Sequence, residues 1–255
     1  MKRTDYYWLR LVGTGLWFLV FGLVTFVLGF VVLPVIRLVT PERSRRQRRS
    51  RAVLGAGMRS FIYSVGALRF IDYEFIGREK LGRPGQLIVA NHPTLIDVCF
   101  LLGFAPTSSC IVKAGHFRNL ITRGAVIGAG YIPNAPTEDM IHTAESALQD
   151  GETLLMFPEG TRTVPGQPMA MQRGAANVAM RAARVLTPVF ISCEPPTLSK
   201  KLPWYRIPPR RPKWTLRVGE DIDLSAYRGS PVPIASRRLH ADLEALFSGV
   251  TLVRD

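Results

Sequence analysis

The stretch Leu87-Ile88-Val89-Ala90-Asn91-His92-Pro93-Thr94-Leu95-Ile96-Asp97 decides the fold. Its first four residues are an unbroken apolar run of strand length, and a second apolar segment with helical character follows over residues 95–104. Pro93 stands between them, at the position that favours the first residue of a helix and turns the preceding residue away from helix. A buried strand, a tight turn and a helix are therefore expected here, which is the repeating unit of an α/β domain.

The same alternation extends in both directions. Further strands are expected over residues 73–76, 110–112, 154–157, 189–191 and 214–218, and helices over 138–149, 175–184 and 235–247. The helix at 138–149 has the clearest ends, with Thr137 to cap it, Glu138 and Asp139 at the positive end of its dipole and Gly151 to stop it. Met140, Ile141, Ala144 and Leu148 give it one apolar side. Together these elements predict a mixed central sheet flanked by helices, with residues 203–212, proline-rich and basic, as a surface loop.

The N-terminal part differs. Residues 11–36 contain no charged side chain, and Arg10 and Arg37 bracket them. About 20 apolar residues cross a bilayer core as a helix, and the run is longer than a signal-peptide core and lacks a small-residue cleavage site. A retained membrane-anchoring helix is expected, or a re-entrant helix pair, since Gly13, Gly15, Gly22 and Gly29 interrupt the run and Pro34 closes it. Arg43, Arg45, Arg46, Arg48, Arg49 and Arg51 follow at once, which predicts a cytoplasmic juxtamembrane segment facing anionic headgroups. An amphipathic helix is expected next, over residues 53–70. The chain thus divides into an anchor with its arginine cluster, residues 1–51, and a cytoplasmic domain, residues 52–255, at an inner membrane.

The net charge of +14 also suits a nucleic-acid binder, but the densest basic cluster abuts the apolar run and no nucleic-acid-binding motif is present. Cys99, Cys110 and Cys193 form no close pairing and are expected as small buried apolar residues. The four histidines are scattered, without the spacing of a zinc site.

Two strings carry chemistry. In the first, His92 and Asp97 would point about 140° apart if both lay mid-helix. With Pro93 opening the helix, His92 lies in the turn and folds back towards Asp97. An aspartate that accepts from one imidazole nitrogen leaves the other basic, as deprotonation of an alcohol requires. A turn-capping histidine and a dipole-compensating aspartate would give the same letters, so the second string matters. Phe157-Pro158-Glu159-Gly160-Thr161-Arg162 follows another apolar strand and brings a carboxylate, a glycine and a guanidinium to a strand end, where α/β ligand sites form.

Together the strings resemble the glycerolipid acyltransferases, the 1-acylglycerol-3-phosphate acyltransferases among them. Asn91, His92 and Asp97 match the Asn-His-x-x-x-x-Asp motif, and residues 157–162 match Phe-Pro-Glu-Gly-Thr-Arg residue for residue. Arg173-Gly174-Ala175 resembles the basic-Gly-Ala step of the family, and the apolar run around Pro188 its fourth motif. The resemblance covers residues 87–191 and departs at one point: Asn134 stands where an arginine usually helps to hold the acceptor's phosphate. Lys113, Arg118 or Arg123 would have to substitute.

The resemblance implies an acyl donor, acyl-CoA or acyl-carrier protein, and a lysolipid acceptor. It implies His92 and Asp97 as catalytic residues, and Asn91, Asn134, Glu159, Gly160, Thr161, Arg162 and Arg173 as substrate-binding residues. No cofactor is implied. A glycolipid or other lipid alcohol is the alternative acceptor; hydrolysis of the donor and an inactive membrane scaffold are the rival functions.

Overall fold

Strand β2 (Gln86–Ala90) is buried along its whole length, and β5 (Leu154–Met156) and β6 (Val185–Glu194) flank it, both parallel to it. The computed structural model that provides these coordinates describes residues 6–135, 138–164, 169–200 and 202–252. With β1 (Asp72–Ile76), β3 (Ser109–Lys113), β4 (Ile132–Asn134) and β7 (Lys213–Val218), they form one seven-stranded sheet in the order β1-β7-β6-β2-β5-β3-β4. Neighbours run parallel except β6 and β7, so the sheet is mixed, as expected.

The six expected strands all occur, most of them longer by one or more residues. The seventh, β4, is not legible as a strand because it has three residues with Pro133 in the middle. It tolerates a proline, which has no N–H to donate, because it lies at the edge of the sheet.

Alternate residues of β2 enter two different cores, as the two-residue period of a strand requires. Ile88 and Ala90 pack with Leu54 and Ile62 of α3 (Arg43–Ala67) and Phe100 and Leu101 of α4 (Asp97–Phe104). Leu87 and Val89 pack with Ala144 and Leu148 of the helix Glu138–Gln149, Val178 of the helix Gly174–Ala182 and Leu239 of the helix Val232–Leu252. Glu138–Gln149 has the expected extent, and Gly151 leaves it in the left-handed conformation at φ 80°. Its expected cap, Thr137, lies outside the described residues.

Three expectations need correction. The helix expected over 53–70 is α3 and begins at Arg43, so the arginine cluster is itself helical and the division at residue 51 falls inside the helix. Within that cluster Arg51 is buried, donating to the carbonyl of Ala129 and pairing with Glu152 at 2.7 Å. The apolar run is not broken at Pro34: α1 (Tyr7–Val27), a π-helical turn (Leu28–Val32) and α2 (Leu33–Val39) follow without interruption, giving one 33-residue apolar helix. Proline has no N–H for the carbonyl four residues back and crowds it, and a wider π-turn just before it absorbs that conflict. Finally, Pro93 does not open a helix. Asp97 does, four residues on.

The long helix packs along the body, and two of its contacts are especially close. At Gly29 it meets α5 (Arg123–Gly128) backbone to backbone: a Cβ on Gly29 would lie 2.6 Å from the Ala125 nitrogen, and one on Gly124 2.7 Å from the Gly29 oxygen. At the other end Arg10, 4% exposed, donates to the carbonyls of Pro208, Pro209 and Arg210 in the proline-rich loop. Gly29→Leu must push these backbones apart. It is expected to cost about 1–3 kcal/mol, the usual cost of overpacking, and to loosen the helix from the body, read as a lower unfolding temperature and new proteolytic cleavage between residues 39 and 43.

Candidate active site

The parallel strands β2, β5, β3 and β4 deliver their last residues to one end of the sheet, the end at which α/β folds bind ligands. Asn91 and His92 leave β2 there, Phe157 to Arg162 leave β5, and Lys113 and Asn134 stand side by side at the ends of β3 and β4. A separate cleft of about 940 Å³ lies where strands begin, lined by Ser109 and Thr153 with Arg43, Arg45 and Arg48, and it excludes these residues.

His92 Nδ1 lies 3.0 Å from Asp97 Oδ2. Asp97 is 0% exposed and also accepts from the Thr94 N–H at 2.6 Å and the Thr94 hydroxyl at 2.5 Å. Those bonds hold residues 93–96 as a turn outside the helix, which is why α4 starts at Asp97 and not at Pro93. A buried carboxylate facing Nδ1 places the imidazole proton there and leaves Nε2 as the basic nitrogen. The ring stacks on Phe157 at 4.3 Å between centroids, and the side chain is 17% exposed. His92 can thus meet a substrate without swinging freely.

Glu159 supports His92 from the other side. Its Oε1 accepts the His92 N–H at 3.0 Å and the Thr163 hydroxyl at 2.7 Å, while the Thr163 N–H donates to the His92 carbonyl at 2.7 Å. Burial pushes the Glu159 carboxyl above its ordinary value of 4.5; the bonds from Thr163 and the His92 backbone work against that rise, and Asp97 adds to it. Asn91, expected to bind substrate, has both ends of its amide on Ile191, donating to its carbonyl and accepting from its N–H at 2.7 Å each. It continues the β2–β6 ladder past the end of the strand.

Arg162 turns one nitrogen to the carbonyls of Leu198 and Ser199, at 2.8 and 3.3 Å. Gly160 has φ 63°, and a Cβ on it would sit 3.3 Å from Asn134 Nδ2 and 3.0 Å from Gln172 Nε2. The turn therefore packs against two neutral amides, of which Gln172 carried no signal in the sequence. Thr161 and Arg173 are exposed. So is Lys113, next to His116, whose titration is lowered by desolvation and by that lysine. The thiols of Cys99 and Cys110 are buried and pushed up to about 12, as expected for packing residues rather than nucleophiles.

The chain's likeness to known proteins agrees with this geometry. The family model described as Acyltransferase matches residues 72–192, a stretch that contains both strings. Among characterised relatives, the 1-acyl-sn-glycerol-3-phosphate acyltransferase of Saccharomyces cerevisiae is 24% identical over 144 residues, covering 52% of this chain and 47% of that protein. The protein of the same description from Pseudomonas aeruginosa is 25% identical over 189 residues, 70% of each chain. The chain spans about half the length of the yeast relative. The crystal structure of the 1-acyl-sn-glycerophosphate (LPA) acyltransferase, PlsC, from Thermotoga maritima superposes with a TM-score of 0.69 over 98% of this chain and 99% of that one, at 18% identity. That likeness is one of fold.

The folded protein holds the Glu159 proton more tightly than the unfolded chain does, so ionising Glu159 costs stability. The contribution is fully present below the ordinary carboxylate range and is lost as pH rises through the raised value. Glu159→Gln keeps an acceptor for the His92 N–H and should remove that loss. As pH rises from the ordinary carboxylate value through the raised one, the unfolding temperature of the variant should gain on that of the parent. Glu159→Leu leaves the His92 N–H without its acceptor and should cost about 1–3 kcal/mol of stability throughout.

Proposed function

We propose that this protein is a membrane-bound O-acyltransferase that moves a fatty acyl group from a thioester donor to the hydroxyl of a lysophospholipid. The observation that carries the proposal is the His92 Nδ1–Asp97 Oδ2 contact of 3.0 Å, made by a buried carboxylate, with no hydrogen bond to Nε2 among the described residues. In the reaction Nε2 takes the proton of the acceptor hydroxyl as its oxygen attacks the thioester carbonyl. The tetrahedral intermediate then collapses, the C–S bond breaks and the imidazolium returns the proton to the departing thiolate. Asp97 stabilises the imidazolium in between.

The donor is acyl-CoA or acyl-carrier protein, both acidic and both suited to a chain of net charge +14. The acceptor's phosphate is met by Lys113, which the β3–β4 register sets directly beside Asn134, and by the guanidinium of Arg162. Lys113 thereby offsets the missing arginine at 134. A hydroxylated, uncharged headgroup is the second acceptor class, favoured by the two amides, Asn134 and Gln172, against Gly160. The long apolar helix and the exposed arginines at the start of α3 support attachment to the cytoplasmic face of an inner membrane.

Detergent-purified protein, given labelled acyl-CoA or acyl-carrier protein with a panel of lysolipids, should form acylated lipid. His92→Ala should lower the rate by about 10²–10⁴-fold. Release of free fatty acid without acylated product would mean a hydrolase. Asn134→Arg should raise the preference for lysophosphatidic acid over uncharged lysolipids by about tenfold, the worth of one charge-assisted hydrogen bond. An unchanged preference would remove residue 134 from the acceptor site.

A further inference from the structure

We propose that Trp214 is a positioning residue for acyl transfer, its indole N–H holding the Asp97 carboxylate in the rotation that orients His92. The inference rests on the acyl-transfer function proposed above. Trp214 is the second residue of β7, is 0% exposed and is among the largest fully buried side chains of the protein. Its Nε1 lies 3.0 Å from Thr94 Oγ1 and 3.3 Å from Asp97 Oδ1. An indole N–H can only donate, so this contact leaves no choice about which group supplies the proton.

The two carboxylate oxygens divide their work. Oδ2 faces His92 Nδ1 and takes the Thr94 N–H, while Oδ1 takes the Thr94 hydroxyl and the indole. The terminal torsion of an aspartate is broad, so nothing intrinsic to the residue keeps Oδ2 on the histidine. Besides the Thr94 N–H on Oδ2, rotation is resisted by what grips Oδ1. Thr94 cannot do this alone, because it belongs to the same turn as His92 and Asp97 and moves with them. Trp214 comes from a strand 117 residues away in the sequence and ties the turn to the sheet.

The indole is itself held. Its ring lies 6.2 Å from that of Phe100, Cys193 is its partner across β6 and β7, and Arg10 fastens the loop that leads into β7. A phenylalanine would fill the same apolar space, so packing alone does not call for the N–H that meets the buried carboxylate of the site.

The experiment compares the parent protein with Trp214→Phe and with Trp214 replaced by 3-benzothienylalanine, which keeps the ring shape and puts sulfur where the N–H was. Both replacements are expected to lower kcat by about tenfold with KM for donor and acceptor unchanged, the pattern of a lost transition-state arrangement rather than lost binding. The benzothienyl protein should keep its unfolding temperature and still show the fall in kcat. The ¹⁵N resonances of His92, recorded on the same samples without substrate, should move in both. A benzothienyl protein with parental kcat and unmoved His92 resonances would overturn the positioning role. A parent protein that acylates nothing, with His92 resonances that still respond to the loss of the N–H, would instead overturn the acyl-transfer function and leave the Trp214–Asp97–His92 linkage standing.

Discussion

Burying a carboxylate is the constraint to which the rest of this structure answers. Asp97 has no solvent access, and an ion in that position is tolerable only if donors surround it. The protein supplies the Thr94 N–H, the Thr94 hydroxyl, the indole of Trp214 and His92 Nδ1, which together occupy the acceptor sites that a carboxylate offers. Satisfying Asp97 fixes the turn between β2 and α4, and the turn fixes His92. The Glu159 bonds then close the backbone of His92 from the side of β5, so both strand ends converge on one imidazole.

Much of this was legible because it is local. Apolar runs of strand length between helical segments mark six of the seven strands, and the spacing of His92, Pro93 and Asp97 by itself implies a fold-back pair. The failures have specific causes. β4 is short and contains Pro133, so neither period nor propensity reveals it. Pro93 has the signature of a helix start, but Asp97 reaches back to the N–H and hydroxyl of Thr94 and keeps the intervening residues in a turn. Pro34 has the signature of a helix end, but the π-turn before it accommodates the ring.

The roles of the motif residues were harder to read than their identities. Asn91 and Glu159 carry polar groups suited to a ligand, yet the structure engages Asn91 with the β6 backbone and Glu159 with His92 and Thr163. A sequence shows which groups reach the end of a strand, not which neighbours claim them first. Trp214 and Gln172 lie outside both strings, and Arg10 was visible only as the border of an apolar run. Each acts through a partner far away along the chain, and no periodicity records that.

Arg10 changes the dimensions of the anchor. In the sequence it marks the end of the uncharged segment, but its guanidinium turns inward to the Pro208 and Pro209 carbonyls. The outward side of the helix, with Trp8, Leu9, Val12, Leu16, Leu19 and Leu23 exposed, is therefore free of charge from Trp8 to Ile36. At 1.5 Å per residue that stripe is about 43 Å long, against a hydrocarbon core of about 30 Å. Held upright, it would leave apolar surface standing in water at one end or both. Because the body is fastened to the helix at both Arg10 and Gly29, it lies alongside most of that length and must follow whatever orientation the helix takes at the membrane.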